Sequence, residues 1–241
     1  MKKLILLIGC LTLTVACQSA VSTPATESTP TATLRPTPIP ATTAPTATPP
    51  PSPLPLYFTE EFDTDSTFWE FLQTGGADTP LTAYENGMLR IDISAPHTWY
   101  LGIHNAHTYS NILITAKSSA TPTGSIGLVC RYDESKGWFE FNTASDGTYS
   151  ALFGQWLAPG IAQYTPIATD PTKHLEAGNL NYEIGLSCQD NSLLLYVNGT
   201  LIRRLDIERF ELSEGNVGLT TASFNETPMT AFFEWIKVDE P

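Results

Sequence analysis

Three turn dipeptides between short apolar runs constrain the fold most strongly. Asn86-Gly87, Asp146-Gly147 and Asn198-Gly199 each separate two β-prone segments, and their residues readily adopt the positive φ angles of a tight hairpin. After residue 56, no stretch of a dozen residues has the periodicity of an amphipathic helix. The pattern therefore predicts an all-β domain.

Apolar runs bounded by turn residues predict thirteen strands. They cover residues 57–62, 81–85, 88–93, 99–103, 112–117, 125–132, 138–142, 148–153, 181–187, 193–197, 201–206, 217–221 and 231–238. More than ten strands in one domain predict two packed sheets. Side-chain alternation predicts a core that contains Leu89, Ile91, Ile93, Phe139, Phe141, Leu193, Leu195, Val197, Phe233 and Trp235.

The first seventeen residues resemble the signal of bacterial lipoproteins. Lys2 and Lys3 precede roughly thirteen mostly apolar residues, too few for the ~20 of a membrane-spanning helix. The run Leu13-Thr14-Val15-Ala16-Cys17 has the form of a lipobox. The resemblance implies a signal peptide over residues 1–16, acylation of Cys17, and a lipid-anchored protein on the extracytoplasmic face of the cell membrane.

Residues 17–55 are predicted to be a disordered linker. From residue 18 onward this segment has eleven Pro, ten Thr and no aromatic residue, which leaves too little apolar surface to fold. In extended polyproline II geometry, at ~3.1 Å per residue, it would span on the order of 100 Å. Residues 56–241 are long enough for one β-domain with a sizeable core and too short for two.

The charge of residues 56–241 argues against nucleic acid as a partner. Nine Lys and Arg stand against twenty-four Asp and Glu, so this region repels phosphate backbones. Its two cysteines, Cys130 and Cys188, lie in apolar strand-like segments and are predicted to form a structural disulfide, because export permits oxidation. No CxxC motif or His at ligand spacing supports a metal or redox role for them.

The order of these segments resembles a concanavalin A-like jelly roll, in particular the laminin-G-like and 3-keto-disaccharide-hydrolase-type domains of exported bacterial proteins. The resemblance lies in Trp69 and in segments 58–62, 85–91, 127–132, 137–141, 146–149, 193–199, 215–219 and 233–238. It implies a sandwich of two curved antiparallel sheets, with a concave face that in relatives often receives sugars.

The outward-facing side chains are the candidate site for a glycan or another extracellular ligand. Aromatic rings stack on the C–H faces of sugars, while Arg, Asn and carboxylate groups hydrogen-bond hydroxyls. Packing in the core is the alternative role for each single ring. The candidate ligand-binding residues are Trp99, with Tyr100 beside it, Arg131, Trp138, Glu140, Tyr149 and Trp156.

The sequence favours binding over catalysis. Retaining glycosidases on this fold carry an E-x-D-x-x-E pattern that holds two carboxylates ~5 Å apart, and this chain lacks it. Three roles remain open for Glu140: a catalytic carboxylate of a 3-keto-disaccharide-type glycoside hydrolase, a solvated strand residue, or a partner of Arg131. A cell-envelope module that binds other proteins is the remaining alternative.

No cofactor is expected. His97, His104 and His107 lie in one segment, but alternation points the last two to different faces, so polar loop positions are the favoured interpretation over a zinc site. Asp63-Thr64-Asp65-Ser66 offers oxygens for a structural calcium ion, although an ordinary Asx or Ser turn is the favoured interpretation there.

Overall fold

The structure is a computed structural model that describes residues 54–121 and 123–241. The predicted signal peptide, Cys17 and the linker up to residue 53 lie outside these residues. No helix within the described ranges is long and apolar enough to cross a membrane.

The described residues form strands, turns and one short 3₁₀ turn, Glu208–Phe210, without an α-helix. The strands are β1 (Phe58–Glu60), β2 (Trp69–Gly75), β3 (Leu81–Glu85), β4 (Met88–Ile93), β5 (Thr98–Tyr109), β6 (Ile112–Ala120), β7 (Gly124–Asp133), β8 (Gly137–Ala144), β9 (Thr148–Ala158), β10 (Ile161–Pro171), β11 (Tyr182–Gln189), β12 (Ser192–Val197), β13 (Thr200–Asp206), β14 (Gly215–Ser223) and β15 (Met229–Asp239).

The strands form two antiparallel sheets. The eight-stranded sheet has the order β13-β12-β11-β6-β15-β4-β3, with β1 also paired to β15. The seven-stranded sheet has the order β10-β9-β8-β7-β14-β5-β2. Many strands that are adjacent in a sheet are distant in sequence, as expected for a jelly roll. The predicted two-sheet sandwich is confirmed.

The main core lies between the two sheets and follows the period of two along each strand. In β8, Phe139 and Phe141 point into this core and are fully buried. Their neighbours Trp138, Glu140 and Asn142 therefore point to the opposite face of the seven-stranded sheet. This alternation places the candidate residues of β8 on the outside of the sandwich.

Trp235 corrects one core prediction. The pairing of β15 with β6 shifts register between Phe233 and Trp235, which inserts an extra residue into β15. Phe233 is buried as predicted, but Trp235 is half-buried, and Ile236 and Val238 take the inward positions instead. A bulge of one residue reverses the face of every side chain that follows it.

The predicted disulfide is confirmed. Cys130 in β7 and Cys188 in β11 are bonded, with their Cα atoms 6.6 Å apart. Because β7 belongs to the seven-stranded sheet and β11 to the eight-stranded sheet, the bond crosses the core and joins the two layers. Both residues are fully buried.

Candidate ligand-binding site

The two edge strands of the seven-stranded sheet, β2 and β10, touch each other. The backbone N–H of Ala162 in β10 donates a hydrogen bond to Thr74 Oγ1 in β2 at 3.0 Å. The sheet is therefore curled, and the face turned away from the main core surrounds a second apolar cluster. We call this the enclosed face. The buried residues of its cluster are Leu101, Ile103, Val129, Tyr132 and Trp138, with partly buried Leu72, Trp156, Ala162 and Tyr164 packed against them.

A row of aromatic rings fills the enclosed face. Trp138 is at its centre, with ring centroids 5.1 Å from Trp156, 5.5 Å from Tyr132 and 5.9 Å from Tyr164. Tyr164 in turn lies 5.3 Å from Trp99. The row continues from Trp156 and Tyr132 at one end to Trp99 at the other, so side chains of the protein itself occupy the concave surface.

Gly154 makes room for the central ring. This glycine of β9 is paired with Trp138 of β8. A Cβ atom at position 154 would lie 2.4 Å from Cε2 of the Trp138 indole, which is closer than carbon atoms approach each other. The indole therefore lies flat across the backbone of β9, and only glycine allows this.

Glu140 is a buried carboxylate within this aromatic face. Trp138 Nε1 donates a hydrogen bond to Glu140 Oε1 at 2.7 Å, and Asn142 Nδ2 donates one to Glu140 Oε2 at 2.9 Å. Burial raises the pKa of the Glu140 carboxyl, and the hydrogen bonds from Asn142 and Trp138 counter part of this rise. Glu140 has no exposed surface. The expectations that it is solvated or paired with Arg131 are therefore wrong.

Two further polar groups lie buried beside this carboxylate. The Tyr164 hydroxyl and the Trp99 indole N–H are directed at the Glu140 carboxylate and help to counter the rise of its pKa, but within the described residues neither reaches the geometry of a full hydrogen bond. Burial raises the pKa of Tyr164, and the neighbouring charge of Glu140 raises it further. Tyr164 belongs to β10 and Trp99 to β5, so strands from both sides of the curl contribute polar groups around Glu140.

A surface pocket of about 320 Å³ opens at the Trp156 end of the aromatic row. Its walls are Leu72 and Gln73 of β2, Tyr132 near the end of β7, Glu134 in the turn after it, residues 156–158 at the end of β9, and Pro159-Gly160 in the β9–β10 turn. Its volume lies at the lower end of the ~300–1,000 Å³ range of small-molecule sites. The pocket combines an aromatic wall with the carboxylate of Glu134, which suits a small polar ligand with apolar faces.

The Trp156 ring is held firmly in this wall. Its Nε1 donates a hydrogen bond to the Tyr132 hydroxyl at 3.0 Å, and its inner side packs on Trp138. Because Glu140 in turn accepts the Trp138 N–H, a chain of hydrogen bonds and ring contacts connects the buried carboxylate to the pocket wall. Binding to a fixed ring costs less conformational entropy than binding to a mobile one.

The structure brings four of the six candidate residues to one face. Trp99, Trp138, Glu140 and Trp156 all belong to the enclosed face, although only Trp156 also lines the pocket. Tyr149 lies on the opposite side of the sheet, within the main core, where its hydroxyl donates to Asp170 at 3.3 Å. Tyr100 also belongs to the main core.

Arg131 is separated from Glu140 by a bulge in β7. Val129 is paired with Glu140, and the β7–β8 register then shifts between Cys130 and Asp133, so that Arg131 has no partner in β8. The buried Arg131 guanidinium donates to the carbonyl oxygens of Ser110 and Leu212 at 2.8 Å each. Burial lowers its pKa. These contacts tie backbone segments together and leave Arg131 outside the pocket.

Several wall residues of the pocket were not predicted from the sequence. Leu72 and Gln73 in the pocket wall come from β2, and Tyr164, which packs in the aromatic row, comes from β10; both strands lie outside the predicted set. The dipeptide Pro159-Gly160 is the signal that indicates a turn between β9 and β10. A hairpin assigned on that turn would have placed Trp156 and Tyr164 in neighbouring strands.

The histidines do not form a common site. His104 lies in β5, almost fully buried, and its ring is 4.5 Å from Phe58 and 5.1 Å from Trp69. The expectation of a polar loop position is therefore wrong for His104. His107 Nε2 lies 2.9 Å from the Leu54 carbonyl oxygen. No three His, Cys, Asp or Glu side chains group as metal ligands in residues 54–121 and 123–241. For Asp63-Thr64-Asp65-Ser66, the ordinary turn stays the favoured interpretation and a calcium ion the alternative.

His104 is expected to make the domain sensitive to acid. Burial, and then the charge of nearby His107, lowers the pKa of His104 from 6.5 to about 4. As the pH falls from 6.5 toward 4, the His104 imidazole is protonated in the unfolded chain before it is protonated in the folded one. Acid therefore favours unfolding. We expect a loss of about 3 kcal/mol of unfolding free energy from this group between pH 7 and pH 4. Urea unfolding of wild type and His104→Phe at both pH values measures it.

The exposed His97 provides the control, because His97→Asn removes an imidazole that is already solvated. His104→Phe should reduce the acid-induced loss, whereas His97→Asn should leave it unchanged. Equal pH dependence in the wild type and in His104→Phe would show that the buried imidazole does not cause the loss.

No family model and no curated protein matches this chain. Solved structures match it in fold. The carbohydrate-binding module CBM66 from Bacillus subtilis is 16% identical, with 69% of this chain and 93% of the module covered at a TM-score of 0.50. A Bacillus licheniformis β-glucanase is 14% identical. The match covers 77% of this chain and 98% of the glucanase, at a TM-score of 0.52. A Bacillus subtilis protein described as having a galectin-like fold is 12% identical. The match covers 76% of this chain and 94% of that protein, at a TM-score of 0.54. At these identities the likeness shows the fold, a concanavalin A-like or galectin-like β-sandwich.

Proposed function

We propose that residues 56–241 are a non-catalytic glycan-binding domain, held by a lipid on Cys17 at the extracytoplasmic face of the cell membrane. The observation that carries the proposal is the pocket at the open end of the enclosed face, with Trp156 fixed against Tyr132 in its wall. An indole face stacks on the C–H surface of a sugar ring. The Glu134 carboxylate supplies a hydrogen-bonding group for its hydroxyls.

The carboxylates support binding rather than hydrolysis. Glycoside hydrolysis ordinarily uses two carboxyl groups, ~5 Å apart in retaining enzymes and ~6.5–9.5 Å apart in inverting ones. Among the described residues that line the pocket, Glu134 is the one carboxylate. Glu140, the residue of interest for the enzyme alternative, has no exposed surface and is enclosed by aromatic rings. A substrate in the pocket does not reach it.

Fold likeness supports a glycan as the ligand class. The similar structures include a carbohydrate-binding module and β-glucanases, so this sandwich architecture serves proteins that handle carbohydrates. The lipobox at Cys17 and the Pro- and Thr-rich segment that follows support display of the domain outside the cell.

Trp156→Ala is expected to weaken glycan binding about tenfold to a hundredfold, because a ring at the centre of a binding pocket contributes ~1.5–3 kcal/mol. The full chain in detergent micelles is screened on a glycan array, and the affinity for the glycans it retains is measured by calorimetry. Trp235→Ala is the matched control, since it removes a half-buried tryptophan from the other sheet. The proposal fails if the wild type retains no glycan, or if both variants bind as the wild type does.

A further inference from the structure

We propose that the pocket binds the terminal residue of a glycan chain, and that this chain end carries no negative charge. This inference rests on the proposed function, because it assumes that the pocket binds glycans. It adds which part of the polymer is recognised and which class of sugar is rejected.

The first argument is that the concave surface is closed to a continuous chain. A polysaccharide that ran across the seven-stranded sheet would have to pass between β2 and β10. The Ala162 N–H and Thr74 Oγ1 join these strands at 3.0 Å, and the ring of Tyr164 lies over Trp138 within the curl. The path that an internal stretch of polymer needs is therefore occupied by the protein.

The second argument is that the pocket is blind at its inner end. Trp138 lies behind both Trp156 and Tyr132, with ring centroids 5.1 and 5.5 Å away, and it has no exposed surface. The β9–β10 turn closes one side, where Gly160 approaches the Gln73 carbonyl. A ligand enters such a pocket from the solvent side and stops at the rings of Trp156 and Tyr132, which Trp138 supports from behind, so it is the end of a chain that fits.

The third argument concerns charge. Glu134 lies in the wall of the pocket, and the charges of Glu134, Glu70 and Asp133 all raise the pKa of the Tyr132 hydroxyl, next to the dominant effect of burial. Lys136 Nζ lies 3.6 Å from Asp133 Oδ2, so this ion pair offsets the negative charge of Asp133. The region is negative, as is the whole domain, so a uronic acid or sulfated sugar at the chain end is repelled, whereas a neutral sugar is not.

The chain-length test uses neutral β-glucan, fructan and xylan oligosaccharides of increasing length, with the full chain in detergent micelles. Calorimetry on whichever series binds is expected to give an affinity per chain that changes less than twofold with length. Partial enzymatic cutting of the corresponding polymer should increase the number of binding sites per gram, because it creates ends. An affinity that rises tenfold or more with length, or a capacity that follows polymer mass, would overturn recognition of the end.

The charge test compares the retained oligosaccharide with the same oligosaccharide oxidised to a uronic acid at its terminal residue. The acidic form should bind at least tenfold more weakly, and Glu134→Gln should narrow this difference because it removes a nearby charge and keeps a hydrogen-bonding side chain. Equal binding of both forms by the wild type would overturn the charge argument. If Trp156-dependent binding depends on length, the proposed function stands and this inference fails; if no glycan is retained, the proposed function itself fails.

Discussion

A chain in which Cys130 and Cys188 are both replaced by alanine is expected to lose about 4 kcal/mol of unfolding free energy. The disulfide joins residues separated by 58 positions, and a closed loop of this size removes much conformational entropy from the unfolded chain. It also connects the two sheets through the core, so no neighbouring turn restricts the same two segments. Urea unfolding at pH 7, followed by tryptophan fluorescence, measures the loss.

Chemical reduction of the wild type separates the crosslink from the sulfur atoms themselves. A thiol reductant should lower the unfolding midpoint of the wild type toward that of the double variant and leave the double variant unchanged. If reduction has no effect on stability while the double variant is destabilised, the loss comes from the cavities left by the removed sulfur atoms. Unchanged midpoints in both experiments would show that the bond contributes nothing measurable.

The strands that flank the core were predictable from the sequence because one side of each is buried. In β4, Leu89, Ile91 and Ile93 are buried and Arg90 and Asp92 are not, which is the period of two that the sequence displays. Turn chemistry reinforced the pattern, since Asn86 has a φ of 55° and Gly87 a φ of 68°. Local signals of this kind specify a hairpin without knowledge of its partners.

The two strands that were not predicted, β2 and β10, are the edges of the seven-stranded sheet. In β10 most side chains are exposed, and Pro166 and Pro171 interrupt its hydrogen-bonding pattern, as is common at sheet edges. The contact between Ala162 and Thr74 joins positions 88 residues apart. No local pattern encodes such a contact, so the closure of the curl was not available from the sequence.

This closure determines the environment of the candidate site. The alternation in β8 predicted that Trp138 and Glu140 point outward, and they do, but the edge strands then cover them. Arg131 was displaced for a different reason, because a bulge with a φ of 52° at Arg131 changes the phase of β7 relative to β8. The face of each residue follows from periodicity, whereas its exposure and its partners depend on long-range contacts and bulges.

Glu140→Leu is expected to lower the unfolding free energy by about 4 kcal/mol. Leucine removes the acceptor of both the Trp138 N–H and the Asn142 N–H, and the enclosed face gives water no access to either donor. A buried hydrogen bond to a charged group contributes ~1.5–3 kcal/mol, and relief of the buried charge offsets part of the combined loss. Urea unfolding at pH 7 measures the change, and Glu140→Gln should lie between leucine and the wild type.

A double variant tests the cause. In Glu140→Leu/Asn142→Leu one of the two unsatisfied donors is gone. The double variant should therefore lose less unfolding free energy than the sum of the two single losses, by about 1 kcal/mol or more.

The same variants connect the carboxylate to function, because a Trp138 ring without its acceptor supports the Trp156 wall less firmly and should weaken glycan binding. If Glu140→Leu proves as stable as the wild type, the carboxylate is not a structural acceptor. If Glu140→Gln keeps full stability and binding but abolishes a hydrolytic activity of the wild type, Glu140 is a catalytic group, and the enclosed face must open for substrate to enter.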